Sequence, residues 1–221
     1  MRSTTGRFTT AVVGFSPAFA CAAVLVGVVA SGVLHLGAQS TVAPEAPPGL
    51  AKATFASGCF WSMEHVFDDL SGVVSVSVGY SGGMAKNTSY EQVEMGITGH
   101  AESVQVVYDP KKIGYEQLLD AYWHNTDPTD GSGQFCDHGT QYRPIIFYQD
   151  EGQKQRADQS KKAIEDSRRF ARVLTQILPA STFWRAEAYH QHFYKTHAVQ
   201  YGMYRIGCGR DARLRELWGK N

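Results

Sequence analysis

The sequence has no excess of charge of either sign, because its 21 basic residues are matched by 21 acidic ones. It contains no basic stripe or charged block, so it gives no indication of nucleic-acid binding. It also lacks a Cys-x-x-Cys pair and a His-Glu-x-x-His run, two spacings that hold zinc in proteins. These absences leave a neutral globular enzyme or binding domain as the general class.

Acidic residues are absent from the N-terminus until Glu45. Arg2 and Arg7 precede an apolar stretch over about residues 11–36, which small residues follow. This order is typical of an export signal, and the stretch is also long enough to span a bilayer as an anchor. We therefore predict that residues 1–38 are a cleaved signal peptide or a retained membrane anchor. The protein would then be exported, either to the periplasm or anchored on the extracytoplasmic face of a membrane.

A proline-rich segment, residues 39–50, follows as a predicted linker, and a single folded domain is predicted over residues 51–221. This domain contains Cys59, Cys136 and Cys208. An odd number of cysteines in an exported protein argues against a framework built only of disulfides. It favours at least one reactive thiol.

Hydrophobic spacing predicts both helices and strands in this domain. Apolar residues alternate over 74–80 and 104–108, which indicates strands, whereas those over 115–122 follow helical spacing. Further predicted elements are a strand at 145–148, a helix capped by Asp150 and running to about Arg169, a strand at 173–178 and a helix at 187–194. The order indicates an α+β fold, a sheet with helices packed on it. The long segment 126–141 is predicted to be a functional loop.

Cys59 lies where a short apolar strand runs through Ser57 and Gly58 into an amphipathic stretch. The free N–H groups and the dipole of a helix N-terminus stabilise a thiolate. The pKa of such a thiol, about 8.5 in a peptide, is therefore expected to fall towards neutrality. Phe60 and Trp61 place aromatic faces beside the sulfur that suit an apolar group such as a methyl. The alternative is a buried, inert cysteine among core aromatics.

Glu102 immediately precedes the predicted strand at 104–108. A carboxyl group next to apolar walls can have a raised pKa and donate a proton, which makes Glu102 a candidate acid. The alternative is a solvent-exposed glutamate at a strand end. Tyr90, further upstream, is a hydrogen-bond donor or a surface aromatic.

The segment 133–142 concentrates polar side chains on one loop. Asp137 and Tyr142 are candidates for orienting a substrate oxygen. A zinc site would need Cys136 and His138, but no other ligand spacing supports it, and we predict no metal.

Cys208 is flanked by glycines near the C-terminus, which predicts a mobile and accessible thiol. It is a candidate for attacking an oxidised Cys59, and the alternative is an incidental thiol.

Three motifs occur in this order: Gly58-Cys-Phe-Trp-Ser-Met-Glu64, Thr98-Gly-His-Ala-Glu102 and Asp137-His-Gly-Thr-Gln-Tyr-Arg143. Together they closely resemble the peptide-methionine (S)-S-oxide reductases of the A class. The resemblance covers about residues 53–201. It implies a two-layer α/β sandwich around a mixed sheet with a ferredoxin-like core.

The resemblance also implies a role for each matching residue. Cys59 would be the nucleophile, Glu102 the acid that protonates the sulfoxide oxygen, and Asp137 the acidic residue beside it. The hydroxyl groups of Tyr90 and Tyr142 would bind that oxygen. The residues that the resemblance assigns to substrate binding are Phe60, Trp61, Glu64 and His138.

The activity implied is the thiol-dependent reduction of methionine S-sulfoxide, free or in proteins, which repairs oxidised proteins. Cys59 would attack the protonated sulfoxide and become a sulfenic acid. A second thiol would then form a disulfide, which an external thioredoxin-like dithiol would reduce without a cofactor. Many family members carry a further cysteine in the C-terminal tail that is missing here, so Cys208 and Cys136 both remain open as the second thiol.

Two other classes compete with this interpretation. A cysteine hydrolase would need His100 or His138 as a base beside Cys59, together with an oxyanion hole. A non-catalytic binding protein would need neither. The pair Phe60 and Trp61 suits a methyl pocket better than it suits a hydrolase site.

Overall fold

The structure, a computed structural model, describes residues 40–219. The predicted export segment, residues 1–38, therefore lies outside the described residues. Between residues 40 and 219, no helix is both long enough and apolar enough to cross a membrane.

Alternating apolar residues form a seven-stranded sheet. The strands of the described chain are β1 (Thr41–Val42), β2 (Ala51–Ala56), β3 (Val73–Ser81), β4 (Ala101–Tyr108), β5 (Gly133–Gln134), β6 (Asp137–His138), β7 (Ile145–Tyr148), β8 (Gln176–Pro179) and β9 (Trp184–Arg185). The sheet order is β1-β9-β3-β4-β2-β7-β8, while β5 and β6 form a separate hairpin. All neighbours are antiparallel except β7 and β8, so the sheet is mixed, as expected.

The helices lie mostly where their spacing predicts them. They are α1 (Phe60–Asp68), α2 (Tyr90–Glu94), α3 (Tyr115–His124), α4 (Glu151–Asp166), α5 (Phe193–Thr196), α6 (Ala198–Gly207) and α7 (Arg210–Trp218). The predicted cap of α4 is confirmed, because Asp150 accepts a hydrogen bond from the backbone N–H of Gln153 at 2.8 Å.

Two β-α-β units give the sheet its topology. In chain order the units are β2-α1-β3 and β4-α3-β7, and β4 lies between β2 and β3, antiparallel to both. With β7 beside β2, this is the split β-α-β arrangement of a ferredoxin-like core. The predicted α+β fold with this core is therefore confirmed.

Helices α1 and α3 pack on the same aromatic layer of the sheet. Phe55 of β2 stacks on Phe67 of α1 with ring centroids 4.9 Å apart and on Tyr122 of α3 at 5.3 Å. The helical spacing over 115–122 predicted this face, and its four large residues are buried. Burying several such side chains, at about 1.5–3 kcal/mol each, fixes the start of α1 against β2 and β4.

The segment predicted as a linker, residues 39–50, begins instead on the sheet. Thr41 and Val42 pair with β9, and the hydroxyl group of Ser40 donates a hydrogen bond to the carbonyl oxygen of Thr88 at 2.7 Å. The two-residue strand β9 presents unpaired backbone groups at the sheet edge, and β1 satisfies them. The sheet therefore extends further towards the N-terminus than the predicted start at Ala51.

The helix predicted over 187–194 is wrong as a continuous element. The chain forms a 3-10 turn at Ala188–His190, passes through His192 in a left-handed conformation (φ 52°), and only then begins α5. Two polar side chains impose this break. Gln191 binds both backbone groups of Val78, and Glu187 accepts a hydrogen bond from the hydroxyl group of Tyr80 at 2.8 Å. These tertiary contacts outweigh the local helical preference.

The C-terminal tail is helical rather than mobile, which corrects the expectation for Cys208. Cys208 is the residue that ends α6, and α7 begins two residues later. Arg213 of α7 pairs with Asp127 at 2.8 Å, and the indole of Trp218 donates to the carbonyl oxygen of Thr126 at 3.0 Å. The tail is thereby attached to the loop that follows α3.

Candidate active site

A cavity of about 190 Å³ lies at the N-terminus of α1, where the three sequence motifs meet. Its lining residues are Cys59, Phe60, Trp61, Tyr90, Glu102, Asp137, Tyr142 and Tyr204. A larger groove of about 410 Å³ borders α3 and α4, but no cysteine of residues 40–219 lines it. We therefore take the smaller cavity as the candidate site, because it combines a thiol, two carboxyl groups and aromatic walls.

Cys59 immediately precedes α1 and is only 6% exposed. Its backbone N–H donates to Asp137 Oδ2 at 3.3 Å. Burial raises the pKa of the thiol far above its usual value, and the nearby carboxyl groups of Glu102 and Asp137 raise it further. These effects outweigh the N–H of Trp61 and the hydroxyl group of Tyr204, which lower the pKa. The expectation that the helix N-terminus brings this pKa towards neutrality is therefore wrong.

Glu102 lies inside β4, one residue after its start, and its side chain is buried. Its carboxyl group accepts the backbone N–H of Phe60 at 3.0 Å, which places it beside the first turn of α1. Burial raises its pKa to about 8 against the opposing effect of that N–H. Glu102 is therefore protonated at neutral pH and can donate a proton into the cavity.

Three tyrosine residues line the cavity together with Cys59. Burial raises the pKa of Tyr90, Tyr142 and Tyr204 well above the usual value, so all three keep their protons. The hydroxyl group of Tyr204 donates to Asp137 Oδ2 at 2.6 Å. Tyr204 is not among the residues predicted for the site, because no local sequence pattern shows that α6 folds back to the start of α1.

The aromatic wall depends on His190 and Phe193, for which the sequence predicts no role. Trp61 stacks on Phe193 with ring centroids 3.9 Å apart, and its indole N–H donates to Nδ1 of His190 at 3.3 Å. Burial lowers the pKa of His190 to about 4, so the ring is neutral and Nδ1 can accept this bond. His190 and Phe193 thus set the position of the Trp61 face.

Two residues assigned to substrate binding do not reach the cavity. Glu64 lies one helical turn beyond Phe60, is fully buried, and accepts the backbone N–H of His192 at 2.9 Å. His138 follows Asp137 in β6, and successive strand residues point to opposite sides, so it is exposed. The structure therefore gives no contact that would support either assignment.

Cys136 and Cys208 form a disulfide, with Cα atoms 5.0 Å apart. Within residues 40–219, Cys59 is then the one free cysteine. Cys136 is exposed, and it is adjacent to Asp137 at the rim of the cavity. The two candidates for the second thiol are thus bonded to each other rather than to Cys59.

The competing classes fit this geometry poorly. His100 accepts the backbone N–H of Gly83 at Nδ1 and donates from Nε2 to the carbonyl oxygen of Ala85. Within residues 40–219, no histidine lines the cavity beside Cys59 as a hydrolase base would. Sulfur and carboxylate atoms of Cys136, Asp137 and Cys208 lie within 4.8 Å of one another, but His138 is not part of this group. The described chain therefore does not bring Cys136 and His138 together as ligands of a zinc ion.

Comparison with known proteins points to one family. A sequence model of the family described as peptide methionine sulfoxide reductase matches residues 51–221. The peptide methionine sulfoxide reductase MsrA of Listeria monocytogenes is 47% identical over 170 residues, which are 76% of this chain and 96% of that protein. MsrA 2 of Caulobacter vibrioides is 44% identical over 195 residues, 88% of this chain and 98% of that one.

Solved structures agree with the sequence comparison. Methionine sulfoxide reductase A of Corynebacterium diphtheriae aligns with a TM-score of 0.62 at 31% identity, covering 69% of this chain and 77% of that one. Reduced Mxr1 of Saccharomyces cerevisiae aligns with a TM-score of 0.65 at 31% identity, covering 70% and 90%.

We predict that the carboxyl group of Glu102 is protonated at pH 7 and ionises at about pH 8. Infrared difference spectra between pH 6 and pH 9 should show the loss of a protonated-carboxyl band that the Glu102→Gln variant lacks. The control is Glu94→Gln, which replaces an exposed glutamate and should keep the band. A Glu102→Gln spectrum identical to that of the native protein at every pH would contradict the prediction.

Proposed function

The chain belongs to the peptide methionine sulfoxide reductase family and reduces methionine sulfoxide to methionine, and we propose that Cys59 and Glu102 carry out this reaction. This assignment rests on one observation: the free thiol of Cys59 and the buried acid Glu102 line the same cavity, together with aromatic residues. Phe60 and Trp61 form the part of this wall that holds the methyl group of the substrate.

The reaction begins with protonation of the sulfoxide oxygen. Oxide is a poor leaving group, so the sulfur becomes electrophilic only when a proton or hydrogen bonds reach its oxygen. Glu102 supplies the proton, while the hydroxyl groups of Tyr90 and Tyr142 donate hydrogen bonds to that oxygen. Asp137 holds the backbone of Cys59 and the hydroxyl group of Tyr204 in place.

The sulfur of Cys59 then attacks the sulfur of the sulfoxide. The hydroxyl group passes to Cys59 as a sulfenic acid and methionine leaves, so that the substrate sulfur gains two electrons and the cysteine sulfur loses two. The thiol proton is released in this step and restores the acid form of Glu102. A sulfoxide sulfur is chiral, so one pocket serves one epimer, the S form.

The purified protein should convert dabsyl-methionine S-sulfoxide to dabsyl-methionine in dithiothreitol and leave the R epimer unchanged. Cys59→Ser should lower the rate at least about 10³-fold, because no other group supplies the attacking sulfur. Cys21→Ser, made in the full-length chain, is the matched control and should keep the native rate, because Cys21 lies in the predicted export segment and not in the folded domain. Native activity in Cys59→Ser, or equal turnover of both epimers, would overturn the assignment.

The second part of the cycle returns Cys59 to the thiol. The sulfur of Cys208 attacks the sulfenic sulfur, and the proton of the Cys208 thiol joins the sulfenic hydroxyl group. Water leaves, and a disulfide joins Cys59 to Cys208. Cys136 next attacks the Cys208 sulfur, which frees Cys59 and leaves the disulfide between Cys136 and Cys208. The bond between these two residues, with Cys59 buried and free, supports this order.

The reductant of this cycle is a thioredoxin-like dithiol. The exchange needs two thiols that become a disulfide while Cys136 and Cys208 regain their protons. Exposure of Cys136 supports attack at this disulfide, since Cys59 is buried in its cavity. No cofactor is required. The substrates are oxidised methionines on the surface of proteins and the free amino acid.

Variants of the two thiols separate the steps. Cys208→Ser should release one equivalent of methionine in the absence of reductant but lose turnover with thioredoxin. Cys136→Ser should accumulate the disulfide between Cys59 and Cys208, which peptide mass spectrometry of the oxidised protein detects. Native thioredoxin-coupled turnover in both variants would mean that the reductant attacks Cys59 directly, contrary to the proposed order.

The enzyme acts outside the cytoplasm. This part of the proposal rests on the basic and apolar order of residues 1–38, which suits a cleaved signal peptide or a retained anchor. Reducing equivalents must then be delivered across the membrane, because disulfides persist in that compartment.

Fractionation of producing cells should place the protein outside the cytoplasm, either soluble with a shortened N-terminus or in the membrane fraction. Intact-mass measurement distinguishes the two forms. A cytoplasmic protein that retains residues 1–38 would contradict export.

A further inference from the structure

Arg210 is a fully buried cation that the catalytic steps above do not use. It is the first residue of α7, its side chain is 0% exposed, and it is among the largest side chains of the described interior. Burial lowers its pKa, but a guanidinium group stays protonated in proteins. A full positive charge is therefore present inside the protein.

No acidic side chain within residues 40–219 forms an ion pair with Arg210, whereas the nearby Arg213 pairs with Asp127. Nη2 donates instead to the carbonyl oxygen of Asn125 at 2.7 Å, and both terminal nitrogens donate to that of Ser57 at 3.3–3.4 Å. The Nε group has no hydrogen-bond partner. Burying a charge without an opposite charge beside it costs free energy of folding. The presence of Arg210 at this position therefore points to a role other than stability.

Part of this charge is offset by neutral groups. Asn125 ends α3, where the helix dipole favours a cation. The ring of Phe135 covers the guanidinium group at 4.4 Å, a cation–π distance. Neither group carries a formal negative charge, so neither neutralises the guanidinium group.

The guanidinium group lies beneath the turn that presents Cys59. Its acceptor Ser57 is two residues before the thiol, and Gly58 between them has a φ of +70°. A Cβ atom at Gly58 would lie 3.5 Å from Nη1 of Arg210 and 3.5 Å from Oδ2 of Asp137. The charge is therefore close to Cys59 in an interior where few water molecules screen it.

Within residues 40–219, the charged groups that line the cavity beside Cys59 are acidic. Glu102 faces it from β4 and Asp137 from β6, while the neutral hydroxyl groups of Tyr90, Tyr142 and Tyr204 complete the cavity. Arg210, from α7, is a cation outside this lining, and its charge interacts favourably with an ionised Cys59.

We propose that Arg210 is a positioning residue for the reaction, and that its fixed charge beneath the Ser57–Cys59 turn stabilises the thiolate of Cys59 during attack. It acts through space and through the carbonyl oxygen of Ser57, without touching the substrate. The proposal rests on Cys59 as the nucleophile, which the Cys59→Ser variant tests separately.

The rate at which Cys59 is alkylated reports the fraction of its thiolate form, and the measurement needs no sulfoxide substrate. The full chain is reduced and pulsed with iodoacetamide at each pH from 7 to 10, and the Cys59 peptide is quantified by mass spectrometry. Losing a nearby charge should raise the thiol pKa by about one unit, so Arg210→Met should be alkylated about tenfold more slowly. Arg210→Lys, which keeps the charge, should stay within about threefold of the native rate.

Two further variants distinguish the effect of the Arg210 charge from the effect of its hydrogen bonds. Arg210→Gln keeps amide donors for the two carbonyl oxygens but should be as slow as Arg210→Met. Arg213→Met removes a charge from the same helix and should alkylate at the native rate. Thermal unfolding checks that each variant folds.

Rates in Arg210→Met and Arg210→Gln within about threefold of the native rate would overturn the proposal, because the role of Arg210 would then be structural. If neither neutral variant folds, Arg210→Lys decides: a tenfold loss despite the retained charge would overturn the proposal, and a near-native rate would support it.

Discussion

One oxygen atom of Asp137 joins three distant parts of the chain at the reacting sulfur. Oδ2 accepts the backbone N–H of Cys59 at 3.3 Å and the hydroxyl group of Tyr204 at 2.6 Å. Asp137 belongs to the β5–β6 hairpin, Cys59 to the start of α1 and Tyr204 to α6. The same hairpin carries Cys136, whose disulfide with Cys208 holds the end of α6. The shape of the cavity therefore depends on the attachment of this hairpin to both helices.

Removal from water has opposite consequences for the two reacting groups. It makes Glu102 an acid at neutral pH, as protonation of a sulfoxide requires, but it also disfavours the thiolate of Cys59. Exclusion of water from the cavity thus keeps Glu102 protonated and, for the same reason, disfavours ionisation of the Cys59 thiol. The N–H groups at the start of α1 and the buried cation Arg210 act in the other direction, since they favour negative charge at this end of the helix.

Local sequence patterns predicted correctly those strands and helices whose buried residues recur at regular spacing. The strands around Val76 and Val106 and the helix face of Leu118 repeat with clear spacing, and the structure confirms all three. The helix over 187–194 failed because Glu187 and Gln191 bind groups of β3 more than 100 residues away in the sequence. Helix propensity depends only on residues that are close in the sequence, so it cannot account for such long-range contacts.

The sequence by itself determined the chemistry: a cysteine before a helix, two aromatic residues beside it, a glutamate at a strand start and an acidic loop, in the order typical of one family. Only the tertiary structure decided how these groups behave. It placed Tyr204, His190 and Arg210 around the cavity, left Glu64 and His138 outside it, and bonded Cys136 to Cys208. The reason is physical: residue identity fixes which proton or electron pair a side chain can offer, whereas burial and neighbouring charges fix its pKa and its partner.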